Sequence, residues 1–185
     1  MDNRFKRMLT FLISEQPVAL FVITIVRLSN LINNLEFLLL ITFFSLLPSL
    51  SFLSFIRYPW DFKKERRLSF IVNMISFLTG LAVILILKCN KVSIFISLSY
   101  NLAGIILGVS NLLGYKASGH ATSIAVPATI LTAIFGLKGS LLYLLLIPAF
   151  YLKITLKDHT IGQFITGILI GMLSTVAIYY FIGGI

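Results

Sequence analysis

The chain holds two histidines in 185 residues, and both stand where a short polar loop meets a long apolar run. The first closes Lys116-Ala117-Ser118-Gly119-His120. The second lies in Lys153-Ile154-Thr155-Leu156-Lys157-Asp158-His159-Thr160-Ile161-Gly162-Gln163. Titratable groups bordering membrane-buried stretches are costly and are kept where they are used. Two imidazoles beside lysines suit phosphate chemistry: one ring can attack phosphorus while the other protonates the leaving oxygen, and cations take up the charge that develops. Ser118-Gly119-His120 and Asp158-His159-Thr160 each read as a helix start, where free N–H groups and the positive helix end favour an anion. Lys116, Lys153 and the cluster Lys63, Lys64, Arg66 and Arg67 add positive charge.

Taken singly, each piece has a plainer reading. Ser118 can be only a helix cap, a loop histidine is usually solvated, and basic loop residues commonly fix membrane topology. The chemistry gains weight only if the elements that carry these residues bring them to one place.

Those elements are membrane helices. With 58% hydrophobic and 11% charged residues and a mean hydropathy of +1.02, the chain is too apolar to cover a soluble globule, in which about a quarter of residues are charged. The uncharged runs 37–56, 68–87, 92–115, 121–137, 139–152 and 160–185 mostly approach the roughly 20 residues a helix needs to cross a bilayer, with 139–152 the weakest. They show no period-2 alternation, which excludes a membrane barrel. The expected fold is therefore all-α, a multi-pass transmembrane helical bundle of about six spans. Residues 1–34, interrupted by Glu15 and Pro17 and closed by Arg27, form an interfacial or partial membrane helix; residues 35–185 form the membrane-embedded domain. Arg4, Lys6 and Arg7 precede an apolar stretch too short for a secretory signal. Tyr58 and Trp60 suit the interface, and kinks are expected at Pro48, Pro127 and Pro148.

Counting crossings places the loops. If the run from Phe37 passes from face A to face B, then the loops 57–67, 114–120 and 153–159 all fall on face B. Lys88, Lys91 and Lys138 fall on face A, so the excess of Lys and Arg on B makes B cytoplasmic, in a cell membrane. The formal charge of +9 is spread over these short loops rather than along one basic face, which argues for lipid headgroups and phosphates as partners and against nucleic acid. Cys89 is the only cysteine, so there is no disulfide framework, and no cluster of His, Cys, Asp or Glu has the spacing of a metal site. No cofactor is expected.

At this point the motifs resemble those of the type 2 phosphatidic acid phosphatase superfamily of membrane lipid phosphatases. Ser118-Gly119-His120 is similar to its second motif, with Ala117 where many members have proline. Lys153, six residues before His159, stands at the position of the third motif's arginine, and Gln163 where aspartate is usual. A branch with His-Thr-x-x-Gln in that motif looks similar to His159-Thr160-Ile161-Gly162-Gln163. The resemblance runs from about Asp61 to the end of the chain. It implies a metal-independent phosphatase with His159 as nucleophile and His120 as general acid, Ser118 and the Gly119 backbone binding phosphate oxygens, and Lys153 clamping them. The first motif's basic pair is either Lys63 with Arg66 or Lys64 with Arg67. Gln163 would orient the His159 ring by accepting its N–H, though an amide cannot stabilise an imidazolium as a carboxylate does. Asp158, adjacent to His159, is a poor substitute.

The activity implied is hydrolysis of a lipid phosphate or isoprenoid (di)phosphate through a phosphohistidine, with the substrate's tail in the bilayer. The rivals are a relative that kept the fold as a lipid-binding scaffold, and a small transporter. A transporter would need a polar path, and the mid-span candidates Asn73, Asn101 and Asn111 read more simply as interhelical hydrogen bonds.

Overall fold

A chain in lipid must satisfy its backbone polar groups within each segment, and helix does so along most of the described residues. The computed structural model describes residues 13–51 and 62–185, with the side chains of residues 62, 63, 65 and 66 excepted. The N-terminal basic residues Arg4, Lys6 and Arg7, and Arg57, Tyr58 and Trp60, lie outside the described residues. The elements are α1 (Glu15–Leu28), α2 (Asn34–Ser49), α3 (Phe62–Ile86), α4 (Lys91–Leu112), α5 (Gly119–Phe135), a 3-10 segment (Gly136–Leu145), α6 (Leu146–Thr155) and α7 (Ile161–Phe181). No strand occurs among the described residues.

Four helical stretches among these residues are long and apolar enough to cross a membrane: Arg67–Ile86, Lys91–Leu112, Gly119–Thr155 and Ile161–Phe181. Six were expected. The expected run 37–56 appears, as far as it is described, within α2, a shorter apolar helix. The expected runs 121–137 and 139–152 share the single stretch Gly119–Thr155, which is not a straight rod. Gly136, at φ 63° and ψ −140°, takes a conformation that side chains resist, and it ends α5. The chain then turns back along α5: a Cβ on Gly139 would overlap the Leu131 carbonyl, and the Thr129 and Tyr143 hydroxyls lie 2.6 Å apart.

The prolines bend the rule they were read by. Pro127 sits within regular α5, whereas Pro48 adjoins a π-helical turn (Thr42–Leu46) and Pro148 follows the 3-10 segment. A missing N–H is absorbed there by a change in hydrogen-bond pitch.

Between helices in lipid, close van der Waals fit does what water exclusion does elsewhere, so small residues matter. α3 and α4 run antiparallel with Phe70 against Gly108 and Met74 against Gly104, and Asn101 Nδ2 donates to the Phe77 carbonyl at 3.0 Å. α7 lies parallel to α5, with Gly167 against Ser118 and Ala121, and Gly171 against Thr122 and Ala125. Thr122 Oγ1 completes the seam by donating to the Gly167 carbonyl at 2.9 Å. Helix α1 is about 21 Å long by its 14 residues. It buries Val18, Ala19, Val22, Ile23 and Val26 inside the bundle against α2 and α5. Outward residues such as Leu112, Leu137 and Phe181 are more than four-fifths exposed, a surface suited to lipid and unsuited to water.

Helix ends share one device. After α1, α3, α4, α6 and α7 the chain makes the paired closing bonds of a Schellman turn, with Asn30, Lys88, Gly114, Lys157 and Gly183 at positive φ. Only Gly114 and Gly183 are free of Cβ strain. At one end of the bundle, the buried Glu36 carboxylate accepts from the backbone N–H groups of Asn33 and Asn90 and from Asn90 Nδ2, tying the α1–α2 loop to the α3–α4 loop. Lys91, near that end, donates to the Gly183 carbonyl at 3.3 Å.

Candidate functional site

The opposite end gathers the start of α3, the end of α4, the start of α5, the end of α6 and the start of α7. Ser118 is the cap of α5: its hydroxyl oxygen accepts the Ala121 N–H at 3.4 Å. Its own N–H donates across to the Gln163 carbonyl in α7 at 3.0 Å. Ser118 is fully buried. The hydroxyl oxygen and the N–H of Ser118 thus both serve the fold. Gly119 and His120 form the first turn of α5, whose N–H groups have no acceptor within the helix. His120 is partly buried there, and its carbonyl accepts from Ser123 Oγ at 2.9 Å.

The second motif-bearing loop is shaped by the end of α6. Asp158 N–H donates to the Lys153 carbonyl at 3.1 Å and Lys157 N–H to the Ile154 carbonyl at 3.0 Å, with Lys157 at φ 54°. A lysine in the left-handed region costs of order 1–2 kcal/mol, and it is the turn that demands it. The consequence is that Asp158 does not continue a helix, as its placement beside a helix start had implied. It is folded back over the last turn of α6. There its carboxylate meets Lys153 Nζ at 3.2 Å, while Lys116 Nζ donates to its carbonyl oxygen at 3.3 Å. Lys153 is buried, and it lines the same narrow crevice as His120, together with Ile13, Ala149 and Leu152.

His159 follows, partly buried, one residue before the cap of α7. Thr160 and Gln163 form a capping box: Thr160 Oγ1 accepts the Gln163 N–H at 3.3 Å and Gln163 Oε1 accepts the Thr160 N–H at 3.1 Å. That structural duty was not among the roles read for Gln163. Tyr115 Oη lies 3.1 Å from Thr166 Oγ1, a further link between the α4–α5 loop and α7.

The site residues therefore divide by how firmly they are joined. Lys116, Ser118, Gly119, His120, Lys153, His159 and Gln163 belong to one cluster of loops and helix starts. The basic group at the head of α3 stands at the same end by the antiparallel pairing of α3 with α4, with Lys64 and Arg67 exposed. The side chains of Lys63 and Arg66 lie outside the described residues, so the two candidate pairs stay unranked.

Two contacts lie beyond the local sequence patterns. Lys153, five residues before Asp158 at a helix end, is brought to it by the closing turn. Glu15, which interrupts the apolar N-terminal run, accepts from Asn73 Nδ2 at 2.8 Å with its carboxylate. Among the described residues no three of His, Cys, Asp and Glu gather as metal ligands. The chain matches no family model, no curated protein and no solved structure.

Proposed function

We propose that the protein is an integral membrane phosphatase that hydrolyses a lipid phosphate or an isoprenoid (di)phosphate through a phosphohistidine. The observation that carries this reading is the 3.0 Å bond from Ser118 N–H to the Gln163 carbonyl, which ties a Ser-Gly-His helix start to the first turn of α7, directly after the segment bearing the second histidine with Lys153 and Lys157. In this reading a His159 ring nitrogen attacks phosphorus and the lipid oxygen departs with a proton from His120. Water then cleaves the P–N bond, giving its proton to His120. The Gly119 and His120 N–H groups, the Ser118 hydroxyl, Lys116 and Lys153 hold the phosphoryl oxygens, helped by Lys63 with Arg66 or Lys64 with Arg67. The basic face is cytoplasmic, and the chain crosses about six times, α5 and the returning 136–155 limb counting as two.

Two observations favour a second reading. Ser118 is fully buried and Lys153 is already paired with Asp158, as in a relative that retains the fold as a lipid-binding scaffold. Phosphate release by purified protein, with EDTA present, from phosphatidate, phosphatidylglycerophosphate and prenyl (di)phosphates separates the two. Release from any of them supports the enzyme, and none from all of them supports the scaffold.

A further inference from the structure

Lys153 and Asp158 form a nearly enclosed pair, their side chains 6% and 16% exposed, and Lys116 reaches the same aspartate through its carbonyl. An ammonium offers a carboxylate and a phosphate oxygen the same contact, and in a space this tight it cannot serve both fully. A buried ammonium is stabilised by an anion beside it, and Asp158 supplies one at 3.2 Å. The Schellman turn fixes the Asp158 backbone, through its N–H to the Lys153 carbonyl at 3.1 Å. The carboxylate's contact is with Lys153 Nζ at 3.2 Å, and rotation about its two side-chain torsions is enough to withdraw it.

We propose that Asp158 is a resident anion that occupies the phosphate seat of Lys153 between turnovers, so that a phosphate group binds by exchange with it. The inference rests on the phosphatase reading above and names how that site is held when empty of substrate. It assigns Asp158 a positioning role opposite in sign to simple support. If the carboxylate merely aimed Lys153 at the substrate, its loss would weaken anion binding; as a competitor, its loss strengthens it.

The test uses the full chain in nanodiscs, as wild type, Asp158→Asn and Asp158→Glu, with helix content checked by circular dichroism. Vanadate affinity and KM for a phosphorylated lipid are both read, so that a free anion and a lipid headgroup are followed separately. Asp158→Asn is expected to bind vanadate about tenfold tighter, the worth of a modest ion pair, and to lower KM by a similar factor, while Asp158→Glu stays near wild type. Equal or weaker vanadate binding in folded Asp158→Asn overturns the proposal. Tighter vanadate binding without hydrolysis of any phosphorylated lipid by either protein keeps the resident anion and removes the phosphatase reading. No vanadate binding by either protein removes both.

Discussion

Ser118 N–H and the Gln163 carbonyl, 45 positions apart in the chain, meet at 3.0 Å, so the cap of α5 and the first turn of α7 are one unit. The approach is possible because Gly167 lets α7 settle onto the Ser118 carbonyl, where any Cβ would overlap.

Gly167→Ala should therefore part the two histidine-bearing segments. Overpacking of this kind costs about 1–3 kcal/mol, and both the thermal midpoint and the rate of phosphate release should fall. Gly162→Ala is the control, because its Cβ would lie 3.7 Å from Tyr115 Oη, an ordinary contact. Equal effects of the two substitutions would show that the Gly167 seam does not hold the site.

The capping box predicts a separation of stability from chemistry at position 163. Gln163→Glu preserves the acceptor for the Thr160 N–H and adds favourable charge at a helix N-terminus, so its unfolding midpoint should match or exceed wild type. Gln163→Leu leaves that N–H without the side-chain acceptor and should lose about 0.5–2 kcal/mol. Unfolding in detergent, followed by circular dichroism, reads the difference. A leucine variant as stable as wild type would show that the capping box does not stabilise the start of α7.

At the far end, the buried Glu36 carboxylate takes three donors from Asn33 and Asn90. Glu36→Gln turns an NH₂ group toward donors and should cost about 1–3 kcal/mol, lowering the thermal midpoint with little change in the rate at the optimum temperature. A large loss of rate at full helicity would mean that the two ends of the bundle are coupled.

Single cysteines in a Cys89→Ser background test how the returning limb lies. Tyr115, Thr155 and Lys138 are all exposed, the first two at the candidate site's end and Lys138 at the Gly136 turn. With about six crossings, an impermeant maleimide should reach cysteines at 115 and 155 from one side and at 138 from the other. Labelling of all three from the same side would reduce Gly119–Thr155 to a re-entrant hairpin.

Much of this was readable from residue types. Hydropathy alone gives an all-helical membrane chain, and Ser118 announces a helix start found one residue later, whereas the start read at Asp158-His159-Thr160 falls at Ile161, with Thr160 as its cap. What sequence could not give depends on tertiary fit. The count of crossings already sends the run 139–152 back after 121–137, but the packing of Gly139 on Leu131, which holds the two together, is a matter of tertiary fit. The role of Asp158 was hidden because Lys157 is a poor candidate for a left-handed turn, a position that sequence assigns to glycine. Asn101 bonds between helices as read, whereas the partner of Asn73 is a glutamate 58 positions away that no local pattern links to it.

The central claim is that His159 attacks phosphorus, and the most direct measurement is phosphate release by purified His159→Ala, with ³²P labelling of the protein, quenched in alkaline detergent, alongside. Wild type should turn over a phosphorylated lipid and carry an acid-labile, base-stable phosphoryl label. His159→Ala, with unchanged helix content, should show neither. Turnover near the wild-type rate in that variant would contradict the account.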